Sequence, residues 1–341
     1  MFKKLSLWRL GLLPLLLVAA IACGSEATSA PAPASPPAKV KVRLALDWYP
    51  NANHAGLFVA KEKGYFADEN LEVEMYTPVD PSTVNQTVAA GADDFGINYQ
   101  PDLLLARAQG VPVVSVAALV QHPLNSVQAL KSSGISRPRD LAGKKVGYPG
   151  IPLNEPLLDT MLKHDGVAGG LKEVELVNVG FNLAETLINR SVDACIGCYI
   201  SHESFLIENQ GHPVNIMRME EWGVPDFYEL VLVTSQKTLA ERPDVVQRFV
   251  RALVRGYQDA AANPEAALDI LLRGTDQEVD EAIERPGVQL LAPLWQDAPS
   301  VGWQTSERWT RFAEWLYANG QIDAPIDGNK AFTNRFVEGA K

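Results

Sequence analysis

Residues 40–60, VKVRLALDWYPNANHAGLFVA, change period part-way along. Val40, Val42, Leu44 and Leu46 alternate with Lys41, Arg43 and Ala45, the pattern of a half-buried strand. AGLFVAKEKGYFADENL then reads as a helix that ends near Gly64. Between the two, the turn carries Asp47, Trp48, Tyr49, Asn51, Asn53 and His54. Ligands of open α/β sheets sit beyond the carboxyl ends of strands, where the chain turns into a helix. This stretch therefore predicts a sheet with crossover helices and marks a place where such a fold binds something.

The same rhythm continues outward. LEVEMYT is a second strand, a helix is expected near 81–91, and DFGINY, PDLLLARAQG and VPVVSVAALV read as strand, helix and strand. After HPLNSVQALKSSGI a second cycle begins, with strands KKVGYPG, KEVELVNV and VDACIGCY and helices EPLLDTMLKHDG and LAETLINRS. Strands alternating with helices of about ten residues predict largely parallel sheets covered on both faces. A further strand, YELVLV, leads to an amphipathic helix with Val246, Phe249, Val250, Leu253 and Tyr257 on one stripe. At 341 residues and 47% hydrophobic content, two lobes are expected. Three more turns repeat the polar and aromatic character of the first: NYQPD, GYPGIPLNE and CYISHE.

The amino terminus has another character. Lys3, Lys4 and Arg9 precede an apolar run from Leu10 to Ile21, which ends in AIAC at Cys23. The run falls short of the roughly 20 residues of a membrane span. It reads instead as a secretory signal over 1–22, with a lipoprotein-type cleavage site and Cys23 as the lipidated residue. Residues 23–38, rich in Pro, Ala and Ser, form a flexible tether. The body is thus expected at the cell membrane, lipid-anchored on its extracytoplasmic face.

Formal net charge is −11, and removing the signal's three basic residues leaves −14. That argues against nucleic acid as a partner. Cys195 and Cys198, in CIGC, lie in and just after a strand rather than at the helix start a redox motif wants. They are expected to be two small buried thiols, with a disulfide as the alternative. No metal is expected, because His54 and the trio His202, Cys195 and Cys198 fall in different lobes and a metal needs three or four convergent ligands.

LDWYPNANHAGLFVA, DFGINYQPDLLLARAQGVPVVSVAAL, LKSSGI, LAGKKVGYPG and DACIGCY stand in the order found in the thiamine-pyrimidine (NMT1/THI5-like) family, which this chain resembles from about residue 40 to 260. That family groups bacterial ABC-importer lipoproteins with the fungal pyrimidine synthase. The resemblance implies an α/β fold of the type II periplasmic binding protein kind. Residues 39–121 and 229–341 would form lobe one and 122–228 lobe two, with two chain crossings as hinge. It also implies ABC permease and ATPase subunits as partners, a monomer, and no cofactor. In the synthase, the block matching GINYQPD carries the lysine that holds pyridoxal phosphate and, four residues on, a histidine donor. Here these positions are Asn98 and Asp102, which disfavours an enzyme.

Asp47, Trp48, Asn51, His54, Asn98, Tyr99, Tyr148, Tyr199 and Glu203 are the expected ligand-binding residues. Trp48 and Tyr99 suit a flat heterocycle, each stack being worth about 0.5–1.5 kcal/mol beyond burial. The family's Y-x-x-x-E pair matches Tyr199 and Glu203, four apart and expected on one helix face. GYPGIPLNE offers backbone N–H groups to a carbonyl or phosphate oxygen. His54 reads either as a hydrogen-bonding partner of ligand or as part of the helix start. The resemblance is nearest to the riboflavin-binding branch, so riboflavin is the preferred ligand and a thiamine-precursor aminopyrimidine the second. Tyr49, Trp222 and Tyr228 would add aromatic surface, and Asn53, Asp102 and Asn154 would meet ribityl hydroxyls.

Overall fold

A computed structural model describes residues 39–340 apart from 181 and 277. The expected signal over 1–22, Cys23 and the tether lie outside the described residues. Among the described residues, no helix is long and apolar enough to cross a membrane.

The chain begins with β1 (Val40–Ala45), α1 (Ala55–Glu62), α2 (Tyr65–Asp68), β2 (Leu71–Tyr76), α3 (Val84–Ala90), β3 (Phe95–Asn98), α4 (Gln100–Ala108) and β4 (Val113–Val120). It crosses to β5 (Asn125–Leu130), β6 (Lys145–Tyr148), α5 (Asn154–His164), β7 (Glu175–Asn178), α6 (Leu183–Ile188), β8 (Ala194–Tyr199), α7 (Glu203–Asn209) and β9 (Val214–Arg218). It then returns through β10 (Leu230–Ser235) to α8 (Gln236–Glu241), α9 (Pro243–Ala262), α10 (Pro264–Gly274), α11 (Glu281–Gln296), α12 (Ser306–Ala318) and α13 (Arg335–Glu338).

Two five-stranded sheets result, ordered β2-β1-β3-β10-β4 and β7-β6-β8-β5-β9. Both follow one plan: second strand, first, third, the strand arriving from the other half, fourth. The arriving strands β10 and β5 are antiparallel to their neighbours, so the sheets are mixed rather than parallel throughout. A strand that enters from the other half comes in without a crossover helix and so runs the opposite way.

β5 lies in NSVQAL, which sequence periodicity left as a connection. It is buried along both faces, yet it carries Ser126 and Gln128. Ser126 donates to the Cys198 carbonyl (2.7 Å) and Gln128 donates to the Ser126 hydroxyl (3.1 Å). Polar side chains buried inside the sheet erase the alternation by which a strand is recognised.

The stripe on α9 is the core of the first half, with Val246, Phe249, Val250, Leu253 and Tyr257 all fully buried. α9 approaches α1 closely because Gly256 has no side chain; a Cβ there would stand 2.2 Å from the Gly56 carbonyl oxygen. The same helix braces the turn after β1, since the Tyr257 hydroxyl donates to the Asn53 carbonyl (2.9 Å).

Cys195 and Cys198 are joined in a disulfide, which corrects the reading of two free thiols. Residues three apart in a regular strand face opposite ways. Here Ser126 pairs with Cys198 and Val127 with Ile196, so Gly197 is an extra, bulged residue at φ +94°. The bulge turns Cys198 back to the face of Cys195, with their Cα atoms 6.2 Å apart.

Candidate functional site

The turn after β1 is built by its own side chains. The Asn51 amide oxygen accepts the Asn53 N–H (2.9 Å), and its amide nitrogen donates to the Tyr49 carbonyl (3.0 Å). The Asn51 N–H donates to His54 Nδ1 (3.2 Å). With Nδ1 accepting, the ring proton lies on Nε2, which donates to Asp47 Oδ1 (2.8 Å). Asp47 Oδ2 accepts from the Tyr99 hydroxyl (2.8 Å). His54 is fully buried behind Asp47 and does not line the cavity, so it serves the helix start and orients the carboxylate.

The second half presents a similar pair. Tyr199, the last residue of β8, donates its hydroxyl to Glu229 Oε1 (2.6 Å). Glu229 Oε2 accepts the N–H groups of Leu124 (2.6 Å) and Asn125 (3.1 Å). Burial, together with the adjacent carboxylates, holds both phenols well above the ordinary tyrosine range, so both act as donors. Tyr199 and Glu203 do not share a helix face. Tyr199 ends the strand, Glu203 opens α7, and the carboxylate turns back to accept the Tyr199 N–H (2.7 Å). Burial pushes the carboxyls of Glu203 and Glu229 up.

Asp47, Trp48, Asn51, Asn53, Tyr99, Tyr199 and Glu203 meet around a cavity of about 400 Å³. Trp48 stands edge-on to the exposed ring of Tyr49, with ring centres 6.0 Å apart. Besides His54, six expected contacts are absent from this lining. Tyr148 packs on a hydrophobic core cluster while its loop contributes Pro149 and Ile151. Asn98 is buried behind Tyr99, its side-chain oxygen accepting the Tyr99 N–H (2.7 Å). Asn154 is buried and accepts from Asn125 (3.0 Å). Asp102, Trp222 and Tyr228 also stay outside: Trp222 lies under the Arg137 guanidinium, and Tyr228 is a core residue whose hydroxyl accepts the Thr305 N–H (2.7 Å).

The sequence reading missed one wall. Glu278, Val279, Asp280 and Glu284 line the cavity from the segment that enters α11. Glu284 is only 4% exposed; its Oε2 accepts the Ala52 N–H (2.5 Å), and burial pushes the carboxyl up. Acidic residues at a helix start are expected from the helix dipole alone, so nothing in EVDEAIE told this wall from an ordinary cap.

The family model described as NMT1/THI5 like matches residues 51–267. The chain belongs to the NMT1/THI5-like family. Within it, the chain is 38% identical to a formylaminopyrimidine-binding protein of Halalkalibacterium halodurans over 86% of this chain and 89% of that protein. It is 30% identical to the riboflavin-binding protein RibY of Chloroflexus aurantiacus, over 98% of this chain and 99% of RibY. A 4-amino-5-hydroxymethyl-2-methylpyrimidine phosphate synthase of Legionella pneumophila is 27% identical over 88% of this chain and 93% of the synthase. The periplasmic aliphatic sulphonate binding protein SsuA of Escherichia coli superposes with a TM-score of 0.67 at 13% identity, covering 85% of this chain and 91% of SsuA. The fold is that of the periplasmic binding proteins, as the resemblance implied.

Proposed function

We propose that this NMT1/THI5-like protein is the extracytoplasmic substrate-binding component of an ABC importer, and that its cavity takes a flat aminopyrimidine of the formylaminopyrimidine kind. The carrying observation is the polarity of the lining. Asp47, Glu203 and Glu284 present acceptors to the cavity. Amino groups on a flat ring answer that demand, with Trp48 as the stacking face. The relative that binds formylaminopyrimidine is more similar than the riboflavin binder, which reverses the order expected from sequence.

Riboflavin is the second reading. It is favoured by the match to RibY along nearly the whole of both chains and by a volume larger than one pyrimidine ring needs. No chemistry is assigned, because Asn98 supplies neither an amine for a Schiff base nor a side chain to the cavity.

In this reading residues 39–121 with 229–341, and 122–228, are lobes that close over the ligand about the two crossings. Residues 1–22 direct export, Cys23 carries lipid, and 23–38 tether a monomer that hands its cargo to permease and ATPase subunits. Trp48→Ala is expected to weaken formylaminopyrimidine binding about tenfold in a calorimetric titration. Unchanged affinity would show that the indole packs against protein only.

A further inference from the structure

We propose that the cavity selects against phosphate: it takes the unphosphorylated heterocycle and rejects its phosphate ester. This rests on the function proposed above and specifies the class of ligand. Among the described residues, five carboxylates line the cavity, from Asp47, Glu203, Glu278, Asp280 and Glu284, and no lysine or arginine does. His202 is the one basic side chain there among the described residues, and its Nδ1 stands 4.0 Å from Glu284 Oε1.

A phosphate ester carries about −1.5 to −2 charges at neutral pH and offers only acceptors. Its usual protein partners are guanidinium or ammonium groups and the open N–H groups of a helix start. The start of α11, which lines this cavity, is already filled. Asp280 accepts the Ala282 N–H through its side chain (2.9 Å), and its carbonyl accepts from Ile283 (3.0 Å) and Glu284 (2.9 Å). The loop that looked fit for an oxyanion brings to the cavity Pro149, which has no N–H, and Ile151.

Glu284 adds a demand of its own: Oε2 is spent on the Ala52 N–H, and Oε1 lies beyond hydrogen-bond reach of His202. A ligand must bring N–H or O–H groups to this wall, and an ester oxygen set against it would leave both partners unpaired. The acidic wall is therefore a specificity device that works by like-charge exclusion.

The test titrates the purified protein with two pairs: 4-amino-5-hydroxymethyl-2-methylpyrimidine and its phosphate, and riboflavin and its 5′-phosphate. In whichever pair the parent binds, the ester is expected to bind roughly 100-fold more weakly or worse. The double variant Glu284→Gln, Asp280→Asn, which keeps the shapes and an acceptor for each backbone N–H, is expected to shrink that gap to about tenfold with its melting temperature preserved. An ester that binds as well as its parent overturns the inference and leaves the proposed function standing. A gap unchanged in a folded double variant overturns the role of the wall. Binding of neither parent, with formylaminopyrimidine also silent, overturns the functional reading and the inference with it.

Discussion

The third strand of each sheet delivers a tyrosine to the cavity, and the two tyrosines are anchored differently. Tyr99, just after β3, donates to Asp47 at the end of β1, an anchor within its own sheet. Tyr199, at the end of β8, donates to Glu229, which lies on the segment returning from the second sheet to the first. That carboxylate also holds Leu124 and Asn125, on the segment going out. One phenol is thus set by the neighbouring strand of its own sheet, the other by the two connections between the halves.

The largest effect is expected from breaking the second anchor. Glu229→Ala leaves two N–H groups and a phenol without their acceptor, and should cost about 3 kcal/mol or more in urea denaturation. Glu229→Gln keeps an oxygen for the two N–H groups and a donor toward the phenol oxygen, so about 1 kcal/mol is expected. A loss for the alanine variant no greater than for the glutamine variant would remove Glu229 from this role.

Next comes the bulge that aims Tyr199, which has no counterpart before Tyr99. Replacing Cys195 and Cys198 together by Ser should cost about 2 kcal/mol, the loop being short. Thermal unfolding with and without reductant checks it: reductant should lower the midpoint of the parent protein and leave the double serine variant unmoved.

The smallest effects separate the anchors most sharply. Tyr99→Phe and Tyr199→Phe should each cost about 1 kcal/mol. Combined with Glu229→Gln, Tyr199→Phe should be non-additive, whereas Tyr99→Phe should add to within about 0.5 kcal/mol. Equal coupling of both tyrosines to Glu229 would erase the distinction.

How much of this was legible in the sequence follows from which interactions are local. The strand, turn and helix of residues 40–62 declare themselves because their period reflects their own burial, and the stripe on α9 does so for the same reason. β5 does not, because its polar residues are buried against a neighbouring strand, with Ser126 bonded across 72 positions of chain. The disulfide was misjudged because it depends on a bulge at Gly197, and spacing alone implies a regular strand. His54 looked like a ligand contact because its chemistry is visible in sequence and its burial is not. Glu284 was missed for the converse reason: its place over Ala52 comes from a contact across 232 positions of chain.

The most direct test of the central claim is a calorimetric titration of the purified protein with formylaminopyrimidine. Saturable one-to-one binding with Kd at or below about 1 µM is expected. Absence of binding under conditions where the protein is folded, for formylaminopyrimidine and riboflavin alike, would contradict it.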